Sequence, residues 1–148
     1  MTVRIRVCTT IEASPAAVWS EVGHIDRHVE WMADAVEVRF RGRQRSGVGT
    51  EFASLTRVGP LRANDVAVVT EWEPRRAMGI VHRGVVTGTG RFTLRRKRGD
   101  RTRFCWEERL RFPWWMGGVV GERVGKPVLR RIWRANLRRL KARCEIYT

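Results

Sequence analysis

The sequence predicts an α+β domain in which a curved seven-stranded antiparallel sheet wraps around one long C-terminal helix, with two short helices after the first strand. Three observations carry this expectation. Residues 3–11 alternate apolar and polar, ahead of a Ser14-Pro15 helix start. Period-two stretches then recur from Val36 to Phe112, with turn residues between them and no helical pattern. Beyond Pro113 the period becomes helical almost to the end. Strands joined by short turns must pair antiparallel, because parallel pairing needs long crossovers.

Each element has its own signal. Val3, Ile5, Val7 and Ile11 share one face of the first strand, opposite Arg4, Arg6, Cys8 and Thr10. Ser14 suits an N-cap and Pro15 a first helical position, which predicts a helix through about Val22. A second short helix is expected from Asp26, carrying Trp31 and Met32. Val36, Val38 and Phe40 begin the meander, and strands follow over 50–57, 63–73, 78–83, 87–97 and 102–112, with Gly59-Pro60 and Pro74 among the breaks. Gly88 and Gly90 interrupt a strand pattern, which predicts a bulge or tight curvature. In the last segment Val128, Leu129, Ile132, Trp133, Asn136 and Leu140 share a broad face, while Arg123, Arg130, Arg134, Arg138 and Lys141 line the other. Gly117, Gly118, Gly121, Gly125 and Pro127 weaken its first turns.

The 148 residues are expected to form a single domain over 1–148, long enough to bury a core. A sheet curved around a helix tends to leave a cleft between the two layers. Lys and Arg number 30 against 15 acids, and 27 of the 30 are Arg. The resulting +15 charge permits attraction to phosphates or anionic headgroups. Arginines at alternate positions, however, read as the wet face of strands, and no aromatic residues interleave with the run from Arg95 to Arg101, so nucleic acid is a disfavoured partner. No apolar run approaches a membrane span and the N-terminus has no secretory pattern, so a cytoplasmic protein is expected. Three widely spaced cysteines, Cys8, Cys105 and Cys144, predict neither a disulfide framework nor a thiolate zinc site.

The segments IEASPAAVWSEVGHIDRHVEWM, VVTEWEPRR, GTGRFTL, GDRTRFCWEERL and KPVLRRIWRANLRRLKARCE resemble the START-like, or Bet v 1-like (SRPBCC), superfamily, in its bacterial polyketide cyclase/dehydrase and lipid-transport branch. The resemblance spans nearly the whole chain and implies a helix-grip fold with a cavity between sheet and helix for lipids, polyketides or other apolar molecules. Cyclases of this branch rely on a tyrosine near the second small helix and an inward arginine on the strand matching 63–73. Here the tyrosine position falls at Asp34, and the inward positions are expected at Val66, Val68, Thr70 and Trp72, with no arginine. The single tyrosine of this chain is Tyr147. That departure counts against cyclase chemistry.

The strand around Glu108 is informative, because Phe104, Trp106, Leu110 and Phe112 fix its buried face and Glu108 lies on it. A carboxylate there must be paired, hydrogen-bonded or protonated, and a general acid or base is one use for it. Asn136, beside Trp133 on the helix, is expected either to orient a ligand or to bond nearby backbone. His82 is a further candidate. Trp31, Met32, Phe52, Val68, Phe92, Trp106 and Trp133 are expected to line the cavity. His24 and His28 have a spacing compatible with zinc, but a break near Asp26 argues against a metal. No cofactor is expected.

Three functions compete at this point. The first is a binding or carrier protein for an apolar or amphipathic small molecule. The second is a cyclase or dehydratase using Glu108, and the third a basic module touching an anionic membrane or nucleic acid. The quaternary state is expected to be monomer or homodimer.

Overall fold

The structure, a computed structural model, describes residues 2–116 and 118–146, with side chains assigned outside 116–122. Tyr147 and Gly117 lie outside the described residues. Seven strands form one antiparallel sheet: β1 (Thr2–Ile11), β2 (Ala35–Phe40), β3 (Glu51–Val58), β4 (Leu61–Glu73), β5 (Ala77–Gly84), β6 (Thr87–Lys97) and β7 (Arg101–Arg111). Their order is β1-β7-β6-β5-β4-β3-β2. Strands β2 to β7 are a pure meander, and the chain's first strand closes against its last.

Helix α1 (Pro15–Val22) begins as its residues predict: Ser14 Oγ accepts a hydrogen bond from Ala17 N at 3.1 Å and Pro15 occupies the first turn. The second short helix is a 3₁₀ helix over Ile25–Glu30, with Trp31 and Met32 just past its end. Helix α2 (Gly118–Glu145) carries Pro127 inside it and packs Trp133, Leu137, Leu140 and Cys144 into the core with Ile5, Ile11, Val18 and Phe104. A second 3₁₀ turn, Trp114–Met116, links β7 to α2.

Two expectations are corrected here. The register of β1 against β7 sets Cys8 directly opposite Cys105, and the two form a disulfide with a Cα separation of 4.1 Å. They are 97 residues apart, so only the pairing of first and last strands brings them together. Cys144 is free and buried. The second correction concerns β4. A bulge between Val69 and Glu71 inverts the alternation upstream of Trp72. Ala63, Asp65, Ala67 and Val69 therefore turn inward instead of Val66, Val68 and Thr70, while Glu71 turns outward to bond Arg91. A one-residue shift moves a whole strand face from core to solvent.

Candidate functional site

Between the concave sheet face and α2 lies a cavity of about 420 Å³ with a predominantly apolar wall. Phe52, Met78, Ile80, Phe92, Trp106, Leu110 and Leu129 contribute much of that wall. Of the residues expected there, Met32, Phe52, His82, Phe92, Trp106, Glu108 and Trp133 line it. Trp31, Val68 and Asn136 do not. Trp31 is fully buried behind the wall, edge-on to His28 and Trp106. Val68 faces away for the reason given by the bulge. Asn136 is fully buried but fastens α2 to the loop after the 3₁₀ helix: its Oδ1 accepts from Ala33 N at 3.0 Å and its Nδ2 donates to Asp34 Oδ1 at 2.7 Å. Asp34 lines the cavity at the position that the resemblance matches to the cyclases' tyrosine.

One corner of the cavity is polar. Glu108 on β7 and His82 on β5 are two strands apart, yet His82 Nε2–H donates to Glu108 Oε2 at 2.8 Å. The strand between them explains this. In register, Gly90 opposes Glu108 and Gly88 opposes His82, so no side chain of β6 rises between the two groups. A Cβ on Gly90 would lie 2.6 Å from Glu108 Oε1, and one on Gly88 would collide with the Arg109 carbonyl oxygen. The two glycines read as curvature signals are thus the floor on which the carboxylate lies.

Glu108 is fixed on both oxygens, because Trp106 Nε1–H donates to Oε1 at 3.0 Å. Trp106 in turn stacks on Trp133 with ring centroids 4.8 Å apart. The Trp133 Nε1–H is buried with no partner in the described structure, an open donor beside the cavity. Burial acts most strongly on His82 and opposes its charge, but the Glu108 hydrogen bond, the Glu108 charge and the Asp65 charge outweigh it and raise the imidazolium above its ordinary value. Asp65 is itself pushed up, chiefly by burial, against the opposing hydrogen bond from Val86 and the His82 charge. Sequence reasoning missed Asp65, since the bulge that turns it inward leaves no compositional trace.

His28 also lines the cavity but is occupied elsewhere: its Nε2–H donates to the Val22 carbonyl at 2.7 Å. His24 bonds Ser20 O instead, so the two histidines do not converge. Among the described residues no cluster of three His, Cys, Asp or Glu is placed to hold a metal ion.

The profile of the family described as "Polyketide cyclase / dehydrase and lipid transport" matches residues 2–145. The chain belongs to this family. Among solved structures it is similar to a protein of Thermus thermophilus, at 13% identity and TM-score 0.85 with 99% of each chain covered. It is also similar to the Zhui aromatase/cyclase of Streptomyces sp. R1128, at 14% identity and TM-score 0.77, over 98% of this chain and 94% of that one. A protein of Deinococcus radiodurans matches at 14% identity and TM-score 0.74, with 99% of each chain covered. At such identities the likeness shows the fold, and it is the helix-grip fold. No match was found among curated protein sequences. As a family member the chain has a ligand-binding architecture, and among the described residues no helix is long and apolar enough to cross a membrane.

Proposed function

We propose that the protein binds an apolar small molecule carrying one neutral polar group, a hydroxyl or carbonyl, and holds that group at the His82–Glu108 corner. The observation that carries this reading is the contrast within one cavity: a largely apolar wall and a hydrogen-bonded polar corner at His82 and Glu108, with an open indole donor beside the cavity. Glu108 and Asp65 both act on His82 at this corner. An anionic ligand end would lie beside the Glu108 carboxylate there, whereas a neutral group could accept from Trp133 Nε1 without that repulsion. Asn136 is no longer a candidate for orienting the ligand, since its amide is already engaged.

The test compares a naphthol with the matching naphthoate by fluorescence titration. The naphthol should bind, the naphthoate should bind at least about tenfold more weakly, and Glu108→Gln should erode the difference because it removes one negative charge. Equal affinity of the two probes for the wild-type protein would refute the reading.

A second reading, an enzyme, is favoured by the same dyad. In it His82, not Glu108, carries the transferable proton, and Glu108 orients the ring. A dehydration would then run by His82 N–H protonating a departing hydroxyl while Asp65 takes the adjacent C–H proton, forming a C=C bond and water. Turnover of a β-hydroxy ketone that survives in His82→Ala would remove this reading and leave the binding function.

A further inference from the structure

At the cavity mouth the surface combines exposed apolar side chains with arginines that have no acidic partner among the described residues. Trp114 and Trp115, on the turn between β7 and α2, are 87% and 61% exposed. Leu61 at the start of β4 and Val124 and Val128 on α2 are exposed as well, and all three line the rim of the cavity. Phe112, two residues before Trp114, also lines it, which places the tryptophan pair beside the same opening. Exposed apolar groups clustered in this way mark an interaction surface.

The mouth end is basic as well. Arg57 and Arg62 flank the β3–β4 hairpin, Arg83 ends β5, Arg111 ends β7 and Arg123 lies on α2, so all five belong to the mouth end of the sheet. All are exposed, and none forms an ion pair among the described residues. At the opposite end Arg96 pairs with Asp100, Arg101 with Glu12, Lys141 with Glu145 and Arg143 with Glu21. Arg41, Arg43, Arg45, Arg75, Arg76, Arg95, Lys97 and Arg98, however, are exposed there without an ion pair among the described residues, so it is the apolar rim beside the arginines that sets the mouth apart. The outer side of α2 continues the basic surface through Lys126, Arg130, Arg134 and Arg138, spaced one turn apart.

We propose that the mouth end docks on an anionic lipid bilayer, with Trp114 and Trp115 at the headgroup boundary and the unpaired arginines on lipid phosphates. Tryptophan is suited to that boundary because its ring is apolar and its N–H is polar. Basic side chains near such a surface add attraction that ionic strength screens. A nucleic acid would meet the arginines but leave the apolar rim without a counterpart, so the bilayer is the partner both halves of the surface fit. Docked in this way, the cavity opens toward the lipid phase.

The experiment is co-sedimentation of the full chain with phosphatidylcholine vesicles prepared with and without phosphatidylglycerol. Binding should require phosphatidylglycerol and weaken as salt rises. Replacing both Trp114 and Trp115 by Ala should weaken it by at least about tenfold, since two large apolar groups lose their burial. Arg111→Gln and Arg123→Gln should each weaken it about fivefold at low salt. None of these four residues lines the cavity, so naphthol binding should be unchanged, and the outcome does not depend on the ligand reading. No binding to the anionic vesicles at low salt, equal binding to neutral ones, or a preference for duplex DNA that survives loss of both tryptophans would each overturn the proposal.

Discussion

His28 and His82 stand on the wall of the same cavity and are driven in opposite directions. Among aromatic rings, 5.3 Å from Trp31 and 5.7 Å from Phe92, His28 has a backbone carbonyl as its polar partner. Burial dominates and pushes it down to about 4. His82 is buried too, but it faces Glu108 at 2.8 Å with Asp65 nearby, and the anionic partners win. The difference teaches that depth alone does not set a proton's fate in this interior. A neutral acceptor leaves desolvation unopposed, whereas a carboxylate reverses it. One end of the cavity is consequently a dry aromatic wall that supports the fold, and the other a charged corner able to meet a ligand.

The comparison can be strained hardest at the dry end. Trp31→Ala removes the largest fully buried side chain and should cost about 3–5 kcal/mol in urea unfolding, because its neighbours cannot collapse into the space. A loss below about 1 kcal/mol would mean the wall is not tightly packed.

The two histidines should next separate by pH. His28 has a lowered folded value, so between about pH 6.5 and 4 the unfolded chain holds a proton that the folded chain lacks. Stability therefore falls as pH drops through that window, by up to roughly 3 kcal/mol. His82 has a raised value, so its contribution is complete below about pH 6.5 and fades as pH rises through the folded value. His28→Gln should flatten the acid limb and His82→Gln the neutral one, as read from unfolding midpoints across pH. Unchanged limbs in both variants would contradict the assignment.

The smallest change sharpens the polar end. Gly90→Ala sets a methyl against Glu108 Oε1 and should cost about 1–3 kcal/mol while returning the His82 titration, followed by NMR, toward an ordinary imidazole. Gly125→Ala meets open space on α2 and should instead gain about 0.5–1 kcal/mol without moving His82. A His82 titration that ignores Gly90→Ala would show that the glycine floor does not shape the dyad.

Much of the fold was legible because its causes are local. Alternation on β1 and β7, the Ser14-Pro15 start and the helical period after Pro113 each follow from which residues stand two or four apart. Glu108 could be placed inward for that reason, fixed by Trp106 and Leu110 on either side. The second short helix falls close to where the residues predict it but its type does not, since two turns of 3₁₀ helix are too short to show a distinct periodicity.

What the residues by themselves determined was the set of faces on the unbulged elements: which side chains of β1, β7 and α2 share a surface, and that Glu108 belongs to a buried one. Tertiary structure decided the partners. The bulge at Thr70 that turned Asp65 inward and Val68 outward, the strand closure that opposed Cys8 to Cys105, and the two glycines that let Glu108 reach His82 all depend on register between strands distant in sequence. Periodicity reports the direction of a side chain along its own strand, whereas its neighbour across the sheet is chosen only when the strands are aligned.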